Sequence, residues 1–227
     1  MANRPYGQFC GLARALELIG ERWTLLVIRD LMLSPKRFSD LQRGLPRIPS
    51  NILTARLKEL EQAGVVRRQA LPRPSSGVGY ELTAYGQELR PILLSLGVWG
   101  AQSLGEPHPD DVLNPDSLAM ALQATFQKPA ARRLRATFEV RVGSAVAHAR
   151  VTNGVLTAAP GPVDRPDLVI ETGPALRALM AGAITPSDAL ASGVVRIVGD
   201  RELLNRFAEV FRLPLSPCAA AEDAASA

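Results

Sequence analysis

The chain has 227 residues, 47% apolar and 21% charged, with a net charge of +4, the composition of a globular protein with one large domain or two small ones. Two cysteines without a CxxC pair and only two histidines exclude a disulfide scaffold and a Cys/His zinc site, so neither a metal nor another cofactor is expected. No apolar run reaches the roughly 18 residues of a membrane span, and the first residues lack a signal-peptide core, so a cytoplasmic protein without a membrane partner is expected.

Leu12–Leu18 reads as a helix. Glu21–Leu33 reads as a second, with Trp23, Leu26, Val27, Leu31 and Met32 on a buried stripe and Ser34-Pro35 ending it. Phe38–Arg43 forms a short third helix closed by Gly44, and Pro46 and Pro49 impose an extended turn. Ser50 is placed as the N-cap of a helix through Gln62, which Gly64 closes. Val65–Gln69 and Tyr80–Thr83 alternate as strands around the loop Leu71–Gly79. Ala84–Leu104 reads as one long apolar helix.

Gly105–Asp116, with three prolines and several acids, has linker composition. Beyond it, Ser117–Phe126 is helical. Strands follow at Ala136–Val142, Ala145–Thr152, Val155–Ala159 and Asp167–Glu171, with Asn153-Gly154 as a hairpin turn. Helices at Pro174–Met180 and Pro186–Ala191, a strand at Val194–Val198 and a helix at Arg201–Phe211 complete the pattern. The expected fold class is α+β: a winged helix-turn-helix domain (1–105), a linker (106–116), a second domain with a mostly antiparallel sheet (117–215), and a disordered tail (216–227).

Within Asn51–Gln62, Leu53, Leu57 and Leu60 share one stripe, while Asn51, Thr54, Ala55, Lys58 and Gln62 face the other way. Amide, hydroxyl and ammonium groups on one helix face can bond base edges, and Ser50 at the helix start can meet a phosphate. Arg56 lies on the flank, as a phosphate contact or an intramolecular pair. Lys36 and Arg37 precede the third helix, where such a motif crosses a DNA backbone. Arg68 on the first strand and Arg73 and Ser75 in the loop are the wing's candidates. Charge agrees: residues 1–105 carry 14 Lys and Arg against 8 Asp and Glu, whereas residues 106–227 carry 12 against 14. A surplus of that size also serves plain solubility, and a polar outer face is common on any amphipathic helix.

IGERWTLLVIRDL (Ile19–Leu31), RFSDLQRGLPRIPSNILTARLKELEQAGVVRR (Arg37–Arg68), YELTAYGQEL (Tyr80–Leu89), Cys10 and Trp99-Gly100 occur in order. Through them residues 10–104 resemble the HxlR-type winged-helix regulators of bacteria and archaea. The resemblance implies a homodimeric DNA-binding regulator, a repressor more than an activator, reading an inverted repeat in double-stranded DNA. It places the two-fold interface on the N-terminal segment and the helix after the wing. It also marks Cys10 as a position where some members sense oxidants, with Arg14 one turn along to favour the thiolate. The alternative for Cys10 is a small residue buried at the dimer interface.

FEVRVG (Phe138–Gly143), TNGVLTAAPGPVDRPDLVIET (Thr152–Thr172) and the stretch Leu176–Leu213 resemble sterol-carrier-protein-like domains. That resemblance implies a single-sheet fold whose helices can enclose an apolar small-molecule effector. Phe126, Leu176, Leu179, Met180, Ile184, Leu204, Phe207 and Phe211 are the candidate lining, with a solid core as the alternative. No nucleophile–base–acid set is apparent, so an enzyme is not expected. Two other functions compete with an effector-controlled repressor: a lipid carrier that dimerises through its winged helix, and a redox switch at Cys10.

Overall fold

The computed structural model describes residues 5–71, 77–105, 107–108 and 111–214; the expected tail with Cys218, and the wing-loop residues Arg73 and Ser75, lie outside them. The chain divides into two compact units, Met1–Leu93 and Leu94–Ala227. The division falls ahead of the linker composition at 105–116.

In the first unit, α1 (Gly11–Ile19), α2 (Thr24–Leu31), α3 (Phe38–Gly44) and α4 (Ser50–Gln62) are followed by the antiparallel pair β1 (Val66–Ala70) and β2 (Val78–Leu82). The second helix starts later than its apolar pattern suggests, because Trp23 takes a left-handed φ of 79° at its N-cap. The α3–α4 turn is packed, not merely extended: Leu45 and Ile48 are buried, and the Gln42 amide donates to the Ile48 carbonyl at 2.6 Å. Pro49, not Ser50, caps α4, and Ser50 is its first helical residue. Leu53, Leu57 and Leu60 are buried, as their spacing requires, against a core that includes Val27, Ile28, Leu31 and Leu41.

The expected helix at 84–104 is two helices, α5 (Ala84–Gln87) and α6 (Arg90–Ala101). Pro91 accounts for the break: inside one continuous helix its ring would meet the Gln87 carbonyl, whereas in the first turn of a new helix its missing N–H costs nothing. Thr83 caps α5, accepting the Gly86 N–H at 3.1 Å and donating to the Gly64 carbonyl at 2.6 Å. Gly86 must be glycine, since a Cβ there would collide with the Val65 carbonyl oxygen.

In the second unit, α7 (Pro115–Thr125) precedes β3 (Arg135–Val142), β4 (Ala145–Thr152), β5 (Val155–Pro160), β6 (Leu168–Thr172), α8 (Ala175–Ala181), α9 (Pro186–Ala191), β7 (Val195–Gly199) and α10 (Arg201–Val210). The sheet order is β5-β4-β3-β6-β7, with β3 and β6 parallel and the other neighbours antiparallel. Asn153 (φ 51°) and Gly154 (φ 81°) form the expected β4–β5 turn, whose left-handed conformation suits that pair. Asn114, Thr185 and Asp200 cap α7, α9 and α10 with their side-chain oxygens.

Alternate residues of β3 separate two environments. Ala136, Phe138 and Val140 are buried on one face, where Phe138 meets Phe207 of α10 with ring centroids 5.5 Å apart. The opposite face is crossed by the β5–β6 connection. Glu139, 2% exposed, anchors that crossing: one carboxylate oxygen accepts from the Val163 N–H at 2.9 Å, the other from Arg141 at 2.6–2.8 Å. The hydrogen bond to Glu139 raises the Arg141 guanidinium further above its ordinary value. Glu139→Ala is expected to cost about 1.5–3 kcal/mol, the worth of hydrogen bonds to a charged group. A urea midpoint equal to the parent's would show that this carboxylate does not hold the crossing.

Candidate nucleic-acid interface

Packing of Leu53, Leu57 and Leu60 inward forces Asn51, Thr54 and Lys58 outward, and all three are exposed on α4. The Thr54 hydroxyl donates to the Ser50 carbonyl at 2.9 Å, which orients its lone pairs away from the helix. Among the described residues no carboxylate pairs with Lys58, so its ammonium faces solvent.

The wing lies beside this face. Arg68 and Tyr80 are cross-strand partners, and the Arg68 guanidinium stands 5.7 Å from the Tyr80 ring centroid. Arg68 also pairs with Glu61 at 3.4 Å. Thr54, Leu57, Lys58, Glu61, Arg68 and Tyr80 line a concavity of about 440 Å³ between α4 and the wing strands. Arg67 is held apart by Glu81, its cross-strand partner, at 2.5 Å.

Lys36 and Arg37 join the same surface through the backbone. Lys36 exchanges two hydrogen bonds with Tyr80, at 2.9 and 2.8 Å, a single antiparallel bridge beside β2. The Arg37 N–H donates to the Asp40 carboxylate at 3.1 Å, starting α3. The Arg37 guanidinium reaches the neighbourhood of Gly77 at the wing's second strand. Ser50 is exposed at the start of α4.

Arg56 is set apart. Its side chain is 12% exposed and pairs with Glu59 at 2.7 Å and Glu21 at 3.5 Å. Of the two readings of this residue, the intramolecular pair is the one seen in the structure. Sequence reasoning omitted Tyr80, Glu61 and Glu21. Alternation along β2 puts Tyr80 opposite Arg68, a signal present in the sequence; the reach of Glu21 to α4 has no local signal.

Cys10 is exposed at the N-terminus of α1. The backbone N–H groups of Ala13 and Leu12 at the start of α1 hold its thiol below the ordinary value, although the side chain makes no capping hydrogen bond. Arg14, expected to assist, instead pairs with Glu17 at 3.1 Å. A lowered thiol pKa keeps thiolate present at lower pH. In a Cys218→Ala chain, the pH midpoint of Cys10 alkylation by iodoacetamide should therefore lie below that of the urea-unfolded chain. Coincident midpoints would remove the effect.

In the second unit six of the eight proposed lining residues are buried in a packed core, whereas Phe126 and Ile184 are only partly buried. Leu204, Phe207 and Phe211 are fully buried and Leu179 nearly so; Leu176 and Met180 are also buried. Phe211 stands 4.8 Å from Phe207, 5.9 Å from Phe126 and 6.0 Å from Phe138 between ring centroids. Packing of this kind is the solid-core alternative. A separate polar concavity of about 590 Å³ is lined by Arg141, Glu171, Thr172 and Arg196 at the sheet's far end. Among the described residues no group of three or more His, Cys, Asp or Glu side chains is arranged to hold a metal, and no helix is long and apolar enough to cross a membrane.

Residues 18–108 match the family model described as HxlR-like helix-turn-helix, and residues 111–216 match the one described as alkyl sulfatase C-terminal. The second match stands where a sterol-carrier likeness was expected. The HTH-type transcriptional regulator YodB of Bacillus subtilis is 41% identical over 88 residues, 39% of this chain and 79% of YodB. A structure of its reduced form aligns with a TM-score of 0.38 at 37% identity, covering 44% of this chain and 100% of that one. YvaP of the same organism, an uncharacterized HTH-type transcriptional regulator, is 35% identical over 39% of this chain and 82% of its own length. The sec-alkylsulfatase Pisa1 of Pseudomonas sp. aligns with a TM-score of 0.41 at 23% identity, covering 46% of this chain and 17% of Pisa1.

Proposed function

The chain belongs to the HxlR-like helix-turn-helix family, and on that footing we propose that it is a DNA-binding transcriptional regulator, a homodimeric repressor rather than an enzyme. The single observation that supports this reading is the concavity between α4 and the wing strands, where Thr54 and Lys58 meet Arg68 and Tyr80, with Lys36 bridging Tyr80 beside it. Asn51, Thr54 and Lys58 are assigned to base edges, and Ser50, Lys36, Arg37, Arg68, Arg73 and Ser75 to the backbone. Apolar side chains left exposed support the dimer: Leu12 and Leu16 on α1, and Ile92, Leu96 and Trp99 on α6. Two-fold symmetry then calls for an inverted repeat with half-sites about 34 Å, or a multiple of that, apart.

The sterol-carrier resemblance assigns the second unit an apolar effector, which must bind the free and DNA-bound forms with different affinity. With Phe207 and Phe211 in contact, such a ligand enters only by displacing core packing. A second reading is redox control at Cys10, favoured by its exposure and its stabilised thiolate.

Mapping of genomic fragments bound by the purified protein tests the main reading. Enrichment of a shared inverted repeat is the expected result. Uniform recovery of unrelated fragments would remove sequence-specific regulation.

A further inference from the structure

Leu53, Leu57 and Leu60 hold α4 to its unit through non-directional apolar contacts. Such a seam fixes which face of the helix turns inward and leaves its fine rotation to a directional contact on the flank. Arg56 supplies that contact: its guanidinium spans Glu59 of the same helix at 2.7 Å and Glu21 of the α1–α2 turn at 3.5 Å. Its Nε is buried and without a hydrogen-bond partner, so that edge of the guanidinium is turned in from solvent. The turn that carries Glu21 is itself constrained. Trp23 holds a left-handed φ of 79°, and Arg22 stacks over its ring at 5.2 Å.

We propose that Glu21 and Arg56 form a positioning pair that sets the rotation of α4 and so aims Asn51, Thr54 and Lys58 at base edges. Arg56 then acts through the helix and does not touch the phosphate backbone. The proposal rests on the DNA-binding reading above.

The test uses the full chain on its own promoter fragment and on a shuffled fragment, over a range of salt. Glu21→Gln removes a negative charge near a polyanion, which by charge alone would tighten binding. A positioning role has the opposite sign: Glu21→Gln weakens promoter binding about 3–10-fold, the range for losing one partly exposed ion pair in each protomer. Binding to the shuffled fragment stays unchanged, because its phosphate contacts remain. Arg56→Gln weakens promoter binding likewise, with the salt slope unaltered. Equal or tighter promoter binding by Glu21→Gln overturns the proposal. So does a fall in slope of about 0.9 per Arg56 removed, the mark of a lost phosphate contact. Glu21 is 54% exposed, so Glu21→Gln is read out even where Arg56→Gln fails to fold. Lys58→Ala separates the two failures: if it changes neither affinity nor slope, the DNA reading falls at this helix and takes the proposal with it. If it weakens binding while Glu21→Gln does not, only the positioning pair falls.

Discussion

Raising salt from 50 to 200 mM is expected to weaken promoter binding by about 10³–10⁴-fold, from about six to eight phosphate contacts per dimer, each contributing about −0.9 to the slope of log affinity against log salt. Under the proposed function these contacts come from cations on one surface of the first unit. Arg68 stands over Tyr80, Arg37 lies beside Gly77 at the wing, and Lys36 bridges Tyr80. Arg68→Ala in both protomers should reduce the slope by about 1.8, twice the value for one phosphate. Fluorescence anisotropy with a labelled promoter fragment gives both numbers. A slope near zero would mean that the exposed face of α4 does not meet DNA. Lys58→Ala, at a base edge, should lower affinity at the parent's slope, and a fall in slope would instead place Lys58 on a phosphate.

Phe207→Ala is expected to destabilise the second unit by about 3–5 kcal/mol, the range for deleting a buried aromatic side chain. Phe207 is fully buried, with ring centroids 4.8 Å from Phe211 and 5.5 Å from Phe138. Removing the ring leaves a cavity that its apolar surroundings fill only in part. The measurement is the urea midpoint of the far-ultraviolet transition, compared at unchanged slope. The same variant decides between core and ligand chamber. A ring that only lined an open tunnel would be lost at little cost, so a midpoint within experimental error of the parent's would reject the packed core.

Much of this architecture was legible from local pattern. The Leu53, Leu57 and Leu60 spacing orients α4, Asn153-Gly154 sets the β4–β5 turn, and the helix start at Pro186 is the one observed. Such signals are local because they arise from neighbours one to four residues apart. Pro91 was legible too, but apolar periodicity across 84–104 masked the break it imposes between α5 and α6. At Cys10 the neighbouring arginine drew attention, whereas backbone N–H groups lower the thiol and Arg14 is engaged by Glu17.

The sequence by itself determined the class of the first unit, the outward face of α4 and the alternation of the second unit's strands, since each follows from residue type at fixed short spacing. Only the tertiary structure decided that Lys36 pairs with Tyr80, that Arg56 answers to Glu21, that β3 lies parallel to β6, and that Phe126, Phe207 and Phe211 close on one another. Those contacts join residues dozens of positions apart or depend on how whole elements pack. Their selection belongs to the folded chain, where burial and directional pairing act together, and no short window of sequence carries it.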